Sequence, residues 1–157
     1  MNLEQRECDK SELDRSFKLG LYRVEAKYTD YLRSFQKHVQ SNNSETHNTP
    51  WIGLVIQQGD FDYFVPLTSD KNNKVKTSII SHRIEVKHSN KKVEYLGAIL
   101  FYNMIPVPKG LYSKIDFDEE SKVDPKYSDL LKKQYYWMNI IQNKKTIINK
   151  SLKLYES

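Results

Sequence analysis

Two hydroxyls and an ammonium follow directly on an apolar run in Tyr63-Phe64-Val65-Pro66-Leu67-Thr68-Ser69-Asp70-Lys71. Thr68, Ser69 and Lys71 can all donate hydrogen bonds to phosphate oxygens, and the ammonium can stabilise the negative charge that develops when phosphorus becomes five-coordinate. The apolar run reads as a strand. Pro66 cannot donate a ladder hydrogen bond, so pairing is expected to end close to it. A strand end fixed by a packed sheet holds such side chains in a defined constellation. Thr-Ser-Asp after a strand is also ordinary turn chemistry, and the residues alone leave both readings open.

The balance of charge narrows the partner. The chain of 157 residues carries 25 Lys and Arg against 20 Asp and Glu, a net charge of +5, and its pI is near 9.1, values that suit a protein meeting a polyanion. Its 11 tyrosines add aromatic faces that can stack on unpaired bases while the cations track the backbone. RNA is therefore the expected partner, ahead of a membrane. The longest apolar runs, residues 51–56 and 95–102, fall far short of the ~20 residues of a membrane span. The N-terminus is charged where a signal peptide would be apolar, so a cytoplasmic protein is expected. Cys8 is the sole cysteine, which excludes an intramolecular disulfide, and the four histidines leave no CxxC or HExxH spacing. No metal and no other cofactor is expected.

The length suits one domain with a sizeable core. Residues 1–17 offer little to bury beyond Leu3, Leu13 and Phe17 and read as an N-terminal extension; residues 18–157 form the domain. Alternation over 18–24, with Leu19 and Leu21 opposed to Gly20 and Tyr22, predicts a first strand. Tyr28, Leu32, Phe35 and Val39 recur on one stripe of a helix over 25–39, and the polar stretch 40–50, with His38 and His47 on or near it, predicts a loop. Residues 51–57 and 61–66 around Gly59-Asp60 predict a hairpin that sets the direction of Thr68 and Ser69. Lys71, Lys74 and Lys76 lie in a polar loop over 70–78 that can reach a phosphodiester backbone. Residues 79–87 and 93–105 predict a second hairpin, whose last strand is apolar on both faces and so belongs in mid-sheet. Residues 104–108 are expected to end that pairing, and 112–117 to add an edge strand. Asp124-Pro125 predicts a helix start, followed by a stripe of Tyr127, Leu130, Leu131, Gln134, Trp137, Met138 and Ile141. A bend is expected at Asn143-Lys144, with Lys144, Lys145, Lys150 and Lys153 on a basic outer face.

Taken together, these elements resemble the toxins of type III toxin-antitoxin systems, the ToxN and AbiQ endoribonucleases, over about residues 18–155. The resemblance is carried by Leu21-Tyr22-Arg23-Val24, Lys27-Tyr28, Tyr31-Leu32, Trp51-Ile52-Gly53-Leu54-Val55, the stretch Tyr63 to Lys71, Tyr127 with Leu130-Leu131-Lys132-Lys133-Gln134, and Lys153-Leu154-Tyr155. Pro66-Leu67-Thr68-Ser69 with Lys71 is the most specific piece. The resemblance implies an α+β fold: a twisted antiparallel β-sheet with a MazF- and Kid-like, SH3-like barrel core, partly wrapped by α-helices. It also implies a metal-independent endoribonuclease that uses the substrate's 2'-hydroxyl as nucleophile and leaves a 2',3'-cyclic phosphate and a 5'-hydroxyl. Its implied partners are an RNA substrate and an inhibitory RNA antitoxin of pseudoknot repeats, assembled with the toxin as a cyclic hetero-oligomer. By the same resemblance Thr68, Ser69 and Lys71 match the phosphate-handling motif and Tyr28 the tyrosine of the first helix, which makes all four the expected catalytic residues, Tyr28 as orienter or proton carrier. Tyr22 and Tyr63, with Lys74 and Lys76, are the expected RNA contacts. The extension before Lys18 and the loop after Lys71 depart from the family pattern.

Two other classes use the same residues. A serine hydrolase would take Ser69 as nucleophile and Lys71 as its base, which requires a desolvated lysine. A non-catalytic RNA-binding module would use the basic and aromatic surface without turnover. Product chemistry separates the three: a cyclic phosphate, a covalent Ser69 adduct, or binding alone.

Overall fold

The computed structural model describes residues 18–36 and 49–156; the N-terminal extension, His38, Val39 and His47 lie outside the described residues. β1 (Gly20–Val24) sends Leu21, with Leu19 just before it, into the larger of two hydrophobic cores, and packs Tyr22 against the smaller. β2 (Trp51–Gln58) and β3 (Phe61–Thr68) form the predicted hairpin. It turns at Gly59, whose φ of +62° is the left-handed conformation glycine adopts without a Cβ clash. β4 (Ser81–Lys87) and β5 (Val93–Leu100) form the second hairpin. A short β6 (Ile105–Pro108) and β7 (Tyr112–Lys114) complete a seven-stranded antiparallel sheet of order β4-β5-β3-β2-β1-β7, with β6 paired to β3 off that path. With its helices this is an α+β fold.

β3 is shared between two half-sheets. Its first half pairs with β6, from Phe61↔Pro108 to Phe64↔Ile105, and its end pairs with β5 at Leu67↔Ile99 and Thr68↔Ala98. Pairing therefore ends close to Pro66, as expected, running two residues beyond it to Thr68. Leu67 N–H donates to Pro50 O on the β2 side at 3.0 Å. Successive backbone groups of a strand point to opposite edges, so the missing N–H of Pro66 falls on the other edge, where β6 has ended and β5 has not begun.

The strand predicted over 93–105 is broken. β5 ends at Leu100, a 3-10 turn (Phe101–Asn103) interrupts the strand, and Ile105 starts β6, which runs on in the same direction along the same edge of β3. Pro106 and Pro108 do not end pairing, because β6 pairs only with β3 and an outer edge needs no donor there. β5 itself lies between β4 and β3, the mid-sheet place its apolar faces predicted. Gly97 in β5 has a φ of +107°, and a Cβ there would collide with the backbone oxygen of Thr68. The two strands approach closely where the candidate chemistry lies.

Among the described residues four helices flank the sheet. α1 (Ala26–Phe35) packs Tyr28 and Leu32 on the smaller core formed by Val24, Trp51, Phe64, Ile105 and Val107. Phe35, assigned to the same stripe, is instead 70% exposed. α2 (Phe117–Val123) had no counterpart in the sequence reading; Arg23 on β1 pairs with its Glu120 at 2.8 Å. α3 (Pro125–Met138) starts as predicted, with Asp124 as N-cap and Pro125 at the first turn, and brings Leu131, Trp137 and Met138 to the larger core. The chain breaks at Asn139 rather than at Asn143-Lys144. Asn139 is held there by Leu19, whose N–H donates to its Oδ1 at 2.8 Å and whose carbonyl accepts from its Nδ2 at 3.0 Å. α4 (Ile141–Glu156) then runs with Lys144 buried and Lys150 half-buried, so neither belongs to a basic outer face. Lys150 Nζ donates to Ser81 O at 3.1 Å and to His82 Nδ1 at 2.9 Å, which ties α4 to the start of β4.

Gly59 and Gly97 both have positive φ, but nothing lies within 4 Å of a Cβ placed at Gly59. Gly59→Ala is expected to cost about 1 kcal/mol of unfolding free energy, the backbone term alone. Gly97→Ala adds a collision and is expected to cost more, about 2 to 4 kcal/mol. Equal losses for the two in urea denaturation would contradict the close approach of β5 to β3.

Candidate active site

Thr68 is the last residue of β3, and Ser69 and Lys71 follow in the turn. The close-packed β3–β5 pair fixes the first of these, and the turn fixes the others relative to it. Thr68 is half-buried, while Ser69 and Lys71 are exposed. Thr68 Oγ1 accepts from the Asp70 N–H at 3.2 Å, which leaves its hydroxyl proton available to a ligand. The structure thus keeps the three predicted donors together at one strand end. The exposure of Lys71 is at odds with a serine hydrolase, which needs its lysine desolvated.

Asp70, a member of the motif with no part expected of it, organises the loop. It adopts a left-handed φ of +46°, and its carbonyl accepts from Asn73 N–H at 2.8 Å. Its carboxylate accepts from Lys74 N–H at 3.0 Å, Val75 N–H at 2.8 Å and the Tyr95 hydroxyl at 2.5 Å. Desolvation raises the Asp70 pKa, but these hydrogen bonds and the nearby Arg83 outweigh it and hold the carboxyl below its ordinary value. Burial and the same hydrogen bond push the Tyr95 phenol well up, so it stays a donor. Arg83 covers the Tyr95 ring, its guanidinium carbon 3.9 Å from the centroid, and donates to Val75 O at 2.7 Å and to Glu85 at 2.5 Å. Lys74 and Lys76 are exposed on this braced loop, as an electrostatic contact to a polyanion requires. At its far end Ser81 Oγ donates to Lys76 O at 2.5 Å, and Lys150 holds the Ser81 carbonyl.

The predicted tyrosines lie farther off. The Tyr28 hydroxyl donates to the carbonyl of Pro106, on the outer edge of β6, and burial pushes its pKa up. Pro106 pairs with Tyr63, which lies ~16 Å along β3 from Thr68 at the usual rise per residue. Tyr63 is half-buried against the larger core and meets Tyr155 edge-on, ring centroids 5.2 Å apart. Tyr22 is half-buried against the smaller core, edge-on to Phe64 at 5.5 Å and Tyr112 at 5.7 Å, and its pKa is raised by burial and by the negative charge of Asp62. Asp62 is buried beside it, accepting from Tyr112 at 2.6 Å and from Lys109 at 3.3 Å. The hydrogen bond to Asp62 and burial push the Tyr112 phenol up to about 12.

Tyr95, Arg83 and His82 carry no local signal of their parts in sequence. Tyr95 shows only as one member of an alternating strand, and nothing nearby in the chain points to Asp70. His82 is pushed down by burial and by Lys150 beside it, yet it lies at the α4–β4 junction, not beside Ser69. Among the described residues no three His, Cys, Asp or Glu side chains come together as metal ligands, and no helix is long and apolar enough to cross a membrane.

The family model described as toxin ToxN, type III toxin-antitoxin system, matches residues 20–157. Endoribonuclease ToxN of Bacillus thuringiensis subsp. kurstaki is 35% identical over 135 residues, covering 85% of this chain and 65% of that protein. Endoribonuclease AbiQ of Lactococcus lactis subsp. lactis is 32% identical over 148 residues, covering 87% of this chain and 74% of that one. The chain therefore spans somewhat less than two thirds of the Bacillus relative. A solved structure from work on selective toxin inhibition by a non-coding RNA pseudoknot in bacterial type III systems superposes with a TM-score of 0.73 at 33% identity, covering 88% of this chain and 78% of that one.

Because the folded-state pKa of Asp70 lies below its ordinary 3.8, the stabilisation it gives the loop is present above that value and is lost as pH falls through the lower, folded-state one. The amide resonances of Lys74 and Val75 should hold their native positions on acidification to pH 3.8 and move only below it. A midpoint above 3.8 would show that the carboxylate is not held by these donors.

Proposed function

The chain belongs to the ToxN toxin family of type III toxin-antitoxin systems, and from that membership and the end of β3 we propose that it is a metal-independent endoribonuclease of single-stranded RNA. The observation that carries the reading is the placement of Thr68, Ser69 and Lys71 at one braced strand end, open to a ligand. In the proposed reaction the substrate's 2'-oxygen bonds to phosphorus and the bond from phosphorus to the 5'-oxygen breaks. The products are a 2',3'-cyclic phosphate and a 5'-hydroxyl. Thr68 and Ser69 donate to the non-bridging oxygens and Lys71 stabilises their growing charge. The 2'-hydroxyl loses its proton to a base and the leaving 5'-oxygen gains one; neither group is assigned. Tyr28 has its hydroxyl proton committed to Pro106 O, which favours an orienting part over proton transfer.

Lys74 and Lys76 on the loop supply phosphate contacts in this proposal, and the half-buried Tyr63 and Tyr22 are its further RNA contacts. The natural inhibitor is proposed to be an RNA of pseudoknot repeats assembled with the toxin as a closed ring, in keeping with the solved structure from work on toxin inhibition by a non-coding RNA pseudoknot. Occupying the Thr68–Lys76 surface would block catalysis directly. Kinship with the barrel core of MazF and Kid toxins is part of the same reading. It is supported by the curl of the sheet, since Tyr112 on β7 reaches Asp62 and Phe64 on β3 across the span of β1 and β2.

With excess chelator present, the protein is expected to cleave single-stranded RNA. Ser69→Ala and Lys71→Ala should each remove about 2 to 4 kcal/mol of transition-state stabilisation, on the order of 30- to 1,000-fold in rate. Wild-type cleavage by a folded variant removes that residue from the mechanism, and activity abolished by chelator and restored by a divalent ion overturns its metal independence.

A further inference from the structure

We propose that Tyr95 and Arg83 are positioning residues of the reaction, setting Lys71 for the phosphate through Asp70; this rests on the nuclease reading of that site. The turn that carries Lys71 leaves β3 through a residue in a left-handed conformation that is not glycine, which neighbouring contacts must hold in place. Asp70 is held by its carboxylate. Two of the three donors to that carboxylate, Lys74 N–H and Val75 N–H, belong to the loop itself. The third, the Tyr95 hydroxyl, comes from mid-sheet β5. Tyr95 is thus the bond through which the loop is registered against the rigid scaffold. The same carboxylate that accepts it belongs to the residue directly preceding Lys71 in the chain.

Arg83 completes the brace from β4. Its guanidinium lies over the Tyr95 ring, bonds to Val75 O, and is itself held by Glu85, while the backbone N–H of Arg83 donates to Thr77 Oγ1 at 3.0 Å. Two strands therefore fix the loop at Asp70, Val75 and Thr77. An exposed lysine has a long, flexible stem, and defining where its backbone starts reduces the freedom its ammonium must lose in the transition state. None of the brace groups needs to touch RNA for this effect.

The test is a double-mutant cycle in RNA cleavage. Tyr95→Phe keeps the ring under Arg83 and removes only the hydroxyl. It should lower kcat about tenfold, the size of one lost hydrogen bond to a charged group, with KM within about twofold. In the Lys71→Ala background the same change should have no further effect, because it acts through Lys71. Tyr112→Phe removes a matching phenol-to-carboxylate bond, to Asp62, away from the loop, and should leave kcat unchanged. A Tyr95→Phe enzyme with wild-type kcat, or an equal loss with and without Lys71, overturns the proposal while leaving the nuclease reading intact. A wild-type protein that cleaves no RNA overturns both.

Discussion

Everything at the candidate site depends on β3 having different partners along one of its edges. Its first half faces β6 and its end faces β5, while β2 runs along the opposite edge. Pro66 occupies the gap between the two partners, the one place on that edge where a missing donor costs no ladder bond. The strand also divides the two cores: Val65 and Leu67 enter the larger and Phe64 the smaller. A shift of β3 by one residue would exchange these faces, so the packing of both cores fixes where Thr68 ends the strand. Gly97 adds a local constraint, since only a residue without Cβ lets β5 approach the Thr68 carbonyl.

From that fixed end, order passes outward through hydrogen bonds rather than through apolar burial. Ser69 and Lys71 are exposed, and exposed side chains contribute little to stability. What defines their positions is the turn built around Asp70, with Tyr95 and Arg83 reaching it from the sheet. This division suits a site for a charged ligand: the donors stay in water until a phosphate replaces that water, while the backbone beneath them is already arranged.

Local patterns in the sequence were enough for the elements whose cause is local. The Asp124-Pro125 start of α3, the Gly59 hairpin, the opposed faces of Leu21 and Tyr22, and the mid-sheet place of β5 all follow from neighbours within a few residues. The misreadings share a cause in distant partners. Asn139 ends α3 because Leu19 holds it, Lys150 turns inward because Ser81 and His82 accept from it, and β6 forms despite two prolines because β3 offers an edge. The site divides in the same way. The run from Pro66 to Lys71 was visible as a cluster of donors, but the function of Asp70 depends on Tyr95, far along the chain, and no periodicity carries that pairing.

In the proposed reaction the strand-end donors serve an attack by the RNA's own 2'-hydroxyl. That attack is tested most directly by the chemistry of the new 3' ends after cleavage in excess chelator. The expected products end in a 2',3'-cyclic phosphate, with no cut at a nucleotide whose 2'-hydroxyl has been replaced by hydrogen. Products ending in a 3'-hydroxyl with a 5'-phosphate, or cleavage at the 2'-deoxy position, would contradict it.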